Sequence, residues 1–323
     1  MSSAARALTV GKLRGLRQCS DARGVLSLLA LDHRNNLRKA LRPDAPGEVP
    51  DPELTAFKVE AAAALAGEAT AVLLDPELGA AQAIASGALP GDRGLIVALE
   101  RTGYGGPAHA RESRLLPNWG AGKVRRMGAS GAKLLVYYHP ASTMARAIEE
   151  LVASVAEECA REDLPLMLEP LVYNPAPGGD RLPGTARRDA VVETARRLTI
   201  GGVDLLKSEF PADSAADAEW SEACRELSDA SAAAWIILSA AVDFDTFLRQ
   251  AEAACASGAS GVAVGRAVWN EAAPLTGEAR AAFLRGEARR RMAATTALCA
   301  LRARPWTERY AAAEVDAGWL ERY

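Results

Sequence analysis

The chain has 323 residues, 49% hydrophobic and 24% charged, with a formal net charge of −3; this allows a large core in one big α/β domain or two average ones and gives no reason to expect nucleic acid or a membrane as partner. Its five cysteines, Cys19, Cys159, Cys224, Cys255 and Cys299, are odd in number, far apart and without CxxC spacing, which suits a reduced, cytoplasmic protein better than a disulfide framework or zinc site. No window approaches 18 uninterrupted apolar residues, and Met1 to Arg17 is broken by basic residues, so neither a spanning helix nor a signal peptide is expected.

In chain order, Val25 to His33 is an apolar run ending in polar residues, followed by a polar, basic segment and a helical stretch from Pro52 to Ala66. Thr70 to Leu74 reads as the second strand, Ala80 to Ser86 as a short helix, and Leu95 to Leu99 as the third strand, ending at Glu100. A long loop follows, to about Pro117, then a helix from Trp119 to Met127 and the fourth strand, Lys133 to Tyr138. Ala147, Ile148, Leu151, Val152 and Val155 have the i, i+3, i+4 spacing of an amphipathic helix within Thr143 to Arg161. Leu166 to Val172 is the fifth strand, followed by a Gly/Pro-rich loop and a helix to about Leu198. Val203 to Lys207, Trp235 to Ser239 and Val262 to Val264 are the sixth to eighth, separated by helices over Ser214 to Ala230 and Phe244 to Ala256. A long helix, Arg280 to Arg304, closes the chain before an aromatic tail.

Eight short apolar runs alternating with helices predict an α/β fold, a (β/α)₈ TIM barrel in one domain over residues 1–323 with a helical C-terminal extension. A doubly wound open sheet is the alternative, but no strand is followed by GxGxxG or GxxxxGK[ST]. Reactive groups fall at strand ends: Asp32, Glu100, Glu169, Lys207, Ser239 and Arg266. In a barrel these ends build the active site. Lys133 begins its apolar run and should lie deeper.

Lys207 is either a lysine snorkelling to water or an amine whose burial frees it to form a Schiff base with a carbonyl. Two converging lysines, Lys133 and Lys207, should depress each other's pKa by like-charge repulsion. Glu169 is then a counter-charge and proton shuttle, or only a buried ion-pair partner. Asp32 orients a lysine, binds a substrate hydroxyl or caps the following segment. Ser239, Gly265 and Arg266 sit where barrels commonly hold phosphate; a surface salt bridge is the plainer role for Arg266. His33 and His139 follow strands one and four, which leaves a zinc site open, although none of the three histidines has ligand spacing.

With these residues in view, the chain resembles the class I tagatose-1,6-bisphosphate aldolase family. The matching segments are Leu29-Ala30-Leu31-Asp32-His33-Arg34, Arg101-Thr102-Gly103-Tyr104, Lys133 to Tyr138, Leu168-Glu169-Pro170, Leu206 to Pro211, Leu238-Ser239-Ala240 and Val264 to Trp269. The resemblance implies metal-independent, cofactor-free cleavage of a ketose bisphosphate to dihydroxyacetone phosphate and glyceraldehyde 3-phosphate. It implies Lys207 as the Schiff-base lysine, Glu169 as the proton-transfer carboxylate, and Lys133 and Asp32 beside them. Ser239, Gly265 and Arg266 would bind a substrate phosphate. A homo-oligomer is expected; Trp306, Tyr310, Trp319 and Tyr323 would pack on the barrel or on another subunit.

Two positions depart from the family's pattern: His33 stands where glutamine is usual, and Ala241 where glycine is usual. Both bear on binding rather than on the lysines and Glu169. Cleavage of a sulfosugar phosphate, another Schiff-base reaction, or non-catalytic sensing of sugar phosphates are the competing readings.

Overall fold

The computed structural model of the chain describes residues 6–179, 182, 184–213, 217–240, 242–312 and 315–323. Strand β1 (Arg6–Leu8) pairs in parallel with the last strand, β10 (Tyr310–Ala312). Between them β2 (Leu26–Ala30), β3 (Ala71–Leu74), β4 (Gly94–Ala98), β5 (Gly131–Tyr138), β6 (Leu166–Val172), β7 (Leu205–Ser208), β8 (Ala234–Leu238) and β9 (Gly261–Val264) form a closed parallel barrel, with β9 returning to β2. This is the (β/α)₈ architecture, and the strands fall within about two residues of the predicted runs.

Successive strand side chains point to opposite faces, and the two apolar clusters separate on that alternation. Leu26, Leu28, Ala71, Leu73, Ile96, Met167, Leu205, Ala234, Ile236 and Ala263 pack together inside the barrel. Their neighbours Leu29, Val72, Val97, Leu134, Leu168, Leu206, Trp235 and Val262 face outward into the layer shared with the helices. Both faces are therefore apolar, which is why these strands read as continuous runs rather than alternating ones. Gly261 illustrates how tightly they meet: its φ is +139°, and a Cβ there would lie 1.7 Å from the Leu26 carbonyl oxygen, so only glycine fits.

Elements that the sequence reading did not assign close the N-terminal end. A helix over Val10–Gln18 brings Leu16 into the interior cluster, with Cys19 just beyond it, and Trp306 and Tyr310 join them from the C-terminal tail. Two of the four tail aromatics thus pack on the barrel, while Tyr323 remains exposed with its hydroxyl on Asp163. Asp204, buried at the start of β7, organises this end. Arg6 donates to its Oδ1 at 2.6 Å, and Lys12 and the Leu166 amide donate to its Oδ2 at 2.7 and 3.0 Å.

Two further differences concern helices. The polar segment after β2 contains a short helix, Asn35–Leu41, with Leu37 and Leu41 as its buried anchors. The closing rod begins earlier than predicted, at Gly277, and passes through a wide π turn over Leu284–Ala288 before continuing as Arg289–Arg302. The predicted residues Ser214 and Ala241 lie outside the described residues.

Replacing Asp204 by alanine leaves Lys12 buried without its carboxylate. A loss of about 3–5 kcal/mol is expected, measured by urea unfolding, whereas Glu150→Ala, which removes the exposed ion pair with Arg146, should cost within about 1 kcal/mol.

Candidate active site

The alternation that fills the barrel also delivers the polar groups. One step beyond Met167, Leu205 and Ala263 along their strands come Glu169, Lys207 and Gly265; Asp32 and Glu100 continue the inward positions of β2 and β4. All point into a cavity of about 490 Å³ at the C-terminal mouth, lined also by Lys133, Ser239 and Arg266. All seven candidate residues named from the sequence thus line one cavity.

Lys133 is opposite Met167, while Glu169 is opposite Leu135, so Lys133 starts one layer lower and reaches upward. Its Nζ meets Asp32 Oδ2 at 2.8 Å, Glu100 Oε1 at 2.6 Å and Glu169 Oε2 at 2.9 Å. Glu169 then turns its other oxygen to Lys207: Oε1 is 2.9 Å from Lys207 Nζ. The Lys133 approach to Oε2 is a close ion pair without hydrogen-bond alignment, because that oxygen has no hydrogen-bond partner among the described residues. Glu169 therefore bridges the two lysines with an acceptor left over.

The expectation that repulsion depresses the lysines fails for Lys133. Burial works against its charge, but Asp32, Glu100 and Glu169 together hold it well above the usual lysine value. Burial likewise would raise Asp32, yet Lys133 and Lys207 hold it well below the usual carboxylate range. Glu169 follows the same logic and is lowered. Glu100 goes the other way: burial holds it above the usual range despite Lys133 and Arg34. Three carboxylates around one buried ammonium outweigh the second lysine.

Glu100 is the strand-end residue to which sequence reasoning gave no role in the site. Its signal was its place at the end of the third strand. Besides Lys133, it accepts the Leu135 amide at 3.0 Å through Oε2, and Arg34 donates to its backbone carbonyl at 2.9 Å. Asp32 does not cap the Asn35–Leu41 helix, which has no side-chain cap; its carboxylate is committed to Lys133.

On the β8–β9 side, Ser239 Oγ accepts the Gly265 amide at 3.4 Å. A Cβ on Gly265 would meet His33 Cε1 at 2.9 Å and the Ala30 carbonyl oxygen at 3.0 Å, so glycine is a packing requirement here. Arg266 is half-buried and has no ion-pair partner among the described residues, which removes the surface-salt-bridge reading. Ala240, directly after Ser239, adopts φ +44°, a left-handed conformation that costs a residue with a side chain about 1–2 kcal/mol.

Across the mouth, residues 101–115 fold back on themselves through antiparallel bridges Glu100↔Leu115 and Gly105↔Glu112. The Arg111 guanidinium lies over the rings of Tyr104, Tyr173 and Tyr137 at 4.6, 4.9 and 5.4 Å. This cation–π stack fixes the hairpin against β5 and β6 beside the cavity. His33 and His139 do not form a metal centre: among the described residues no group of three or more His, Cys, Asp or Glu side chains is arranged to hold an ion, and His139 Nδ1 accepts the Ala141 amide at 3.1 Å.

Known proteins resemble this chain in sequence and in fold. Residues 26–271 match the DeoC/LacD family aldolases. The tagatose 1,6-diphosphate aldolase of Staphylococcus aureus is 31% identical over 286 residues, covering 81% of this chain and 85% of that protein. Among solved structures, a Schiff base-forming fructose-1,6-bisphosphate aldolase superposes with a TM-score of 0.60 at 19% identity over 90% of this chain and 99% of that one. The fructose-bisphosphate aldolase of Plasmodium falciparum reaches 0.69 at 12% identity over 94% and 99%. At these identities the structural likeness speaks for the fold.

Lys133→Met should take from Asp32, Glu100 and Glu169 the ammonium they share, with only Lys207 beside Glu169 and Arg34 beside Glu100 remaining among the described residues, and cost about 3–5 kcal/mol near neutral pH. In the parent protein the lowered Asp32 contributes stability above its unfolded pKa, about 3.9, and loses it as pH falls. In the variant, carboxylates pushed upward by burial favour the protonated form, so folding should gain stability as pH falls from 8 to 5. Urea midpoints at the two pH values test this; a variant no more stable at pH 5 than at pH 8 contradicts the assigned charges.

Proposed function

Because the chain belongs to the DeoC/LacD family of aldolases, which are carbon–carbon lyases, we propose that it is a class I aldolase cleaving a ketose bisphosphate such as tagatose 1,6-bisphosphate. The products are dihydroxyacetone phosphate and glyceraldehyde 3-phosphate. The observation that carries this reading is the Glu169 carboxylate, with one oxygen 2.9 Å from Lys207 Nζ and the other 2.9 Å from Lys133 Nζ. The name of the Staphylococcus aureus relative supports the choice of substrate.

In this reading Lys207 gives up a proton to Glu169 and its free amine attacks the ketose carbonyl. The carbinolamine loses water with Glu169 as acid, leaving an iminium ion. That cation draws the electron pair of the neighbouring C–C bond as a base removes the proton of the adjacent hydroxyl. Glyceraldehyde 3-phosphate leaves, the enamine takes up a proton, and water releases dihydroxyacetone phosphate and regenerates Lys207. Lys133 stays charged; it holds Asp32 ionised, orients Glu169, and helps stabilise negative charge developing on the substrate oxygens. Ser239, the Gly265 backbone and Arg266 take a phosphate, the arginine because it has no competing carboxylate among the described residues.

The test is reduction with borohydride in the presence of dihydroxyacetone phosphate, with the modified lysine located by mass spectrometry. An adduct on Lys207, absent in Lys207→Ala, is the expected result. Glu169→Gln should lower kcat for tagatose 1,6-bisphosphate cleavage by about 10²–10⁴-fold. Trapping on a different lysine, or none at all with either ligand, overturns the proposal.

A further inference from the structure

His33 occupies an unusual position in this cavity. Its ring rests against the Gly265 backbone and stands edge-on to Trp269, with centroids 5.3 Å apart at 81°. Trp269 is itself fixed by donating to the Ala30 carbonyl at 3.1 Å, so the imidazole is held on two sides. Nδ1 is buried and has no hydrogen-bond partner among the described residues. The nearest carboxylate oxygen, Asp32 Oδ1, is 3.9 Å away, too far for a hydrogen bond. Nε2 has no hydrogen-bond partner among the described residues either, and unlike Nδ1 it is not among the fully buried atoms of a ring that lines the cavity.

We propose that His33 is a specificity residue whose Nε2 accepts a hydrogen bond from a hydroxyl of the bound ketose, the one on the carbon across the carbonyl from the anion held at Gly265 and Arg266. This rests on the reading of the site as a Schiff-base aldolase and deepens it.

The chemistry selects a hydroxyl. Burial pushes His33 down to about 3, with the Arg266 and Lys207 charges opposing protonation against the pull of Asp32 and Glu169. The ring is therefore neutral, with one donor and one acceptor. Its proton is best placed on Nδ1, because the Asp32 carboxylate 3.9 Å away favours the positive end of the N–H dipole on that side. That leaves a lone pair on Nε2 toward the cavity. A lone pair does not bind a phosphate oxygen; it binds an O–H. His33 follows Asp32 at the end of β2, and Arg266 and Lys207 are both near enough to act on its charge; in this assignment a ketose held by its anion at Arg266 and its carbonyl at Lys207 turns the hydroxyl of its next carbon to Asp32 and His33.

Two probes separate this from packing alone: dihydroxyacetone phosphate and hydroxyacetone phosphate, which differ by that one hydroxyl. The half-saturating concentration of each is read from the yield of borohydride-trapped Lys207. The parent protein should favour the hydroxylated compound by about tenfold, the value of one hydrogen bond of this kind. His33→Phe keeps an aromatic ring against Trp269 but has no acceptor, and its preference should fall to near one, with hydroxyacetone phosphate binding unchanged. His33→Gln, whose amide reaches the Nε2 position, should restore much of the preference; His33→Asn, which reaches only as far as Nδ1, should not.

A preference that survives His33→Phe, an equal loss for both probes, or no preference in the parent protein overturns the assignment while leaving the aldolase reading intact. Failure of the parent protein to form an adduct with either probe overturns the aldolase reading, and this assignment with it.

Discussion

An ammonium ion shut away from water at the mouth of the barrel sets the terms for everything around it. Lys133 can be buried only because carboxylates from the ends of β2 and β4 and from within β6 converge on its Nζ within 2.9 Å. The desolvation of such a cluster offsets much of its Coulombic attraction, so stability is not what the arrangement delivers. What it delivers is orientation. Glu169 is pinned on one side by Lys133, which leaves its other oxygen directed at Lys207. Asp32 is pinned in the same way, which leaves its Oδ1 toward His33. A single cation thus aims two acidic groups at two different neighbours.

How legible this was depends on the range of each interaction. The barrel could be read because each strand is apolar on both faces, a property local to a few residues. The placing of Glu169, Lys207 and Gly265 in the mouth followed from the same runs, since a polar residue that keeps the inward step of a strand must meet the cavity. What could not be read was which charges win. Lys133 was expected to be pulled down by Lys207; counting charges along the sequence cannot reveal that Glu100 completes a third carboxylate contact. The three-residue strands β1 and β10 are too short to carry any periodicity, and the Asn35–Leu41 helix lies in a segment whose polarity hides two buried leucines. Departures from the family's pattern were visible as letters, but their consequence lies in the packing of His33 between Gly265 and Trp269.

The mouth also combines stiff and open parts. The Arg111 stack on three tyrosines and the paired hairpin beneath it give one wall a fixed shape. On the opposite side Ser239 and Gly265 are tied by a single long hydrogen bond, and Ala240 holds a left-handed backbone. The left-handed Ala240 fits a loop whose surroundings, rather than its own contacts, determine its conformation.

The clasp between β1 and β10 bears on the order in which the molecule is made. All eight barrel strands are present once Val264 has been synthesised, so the barrel can begin to close on the ribosome. The N-terminal end cannot. Arg6 and Leu8 must wait for Tyr310 and Ala312, and until then the interior leucines of β2 lack the cover that Trp306 and Tyr310 provide. Loop closure over almost the whole chain makes this pairing a late step. A nascent chain arrested between β9 and β10 would therefore present a formed cavity mouth above an incompletely covered, apolar floor, the kind of surface that chaperones hold.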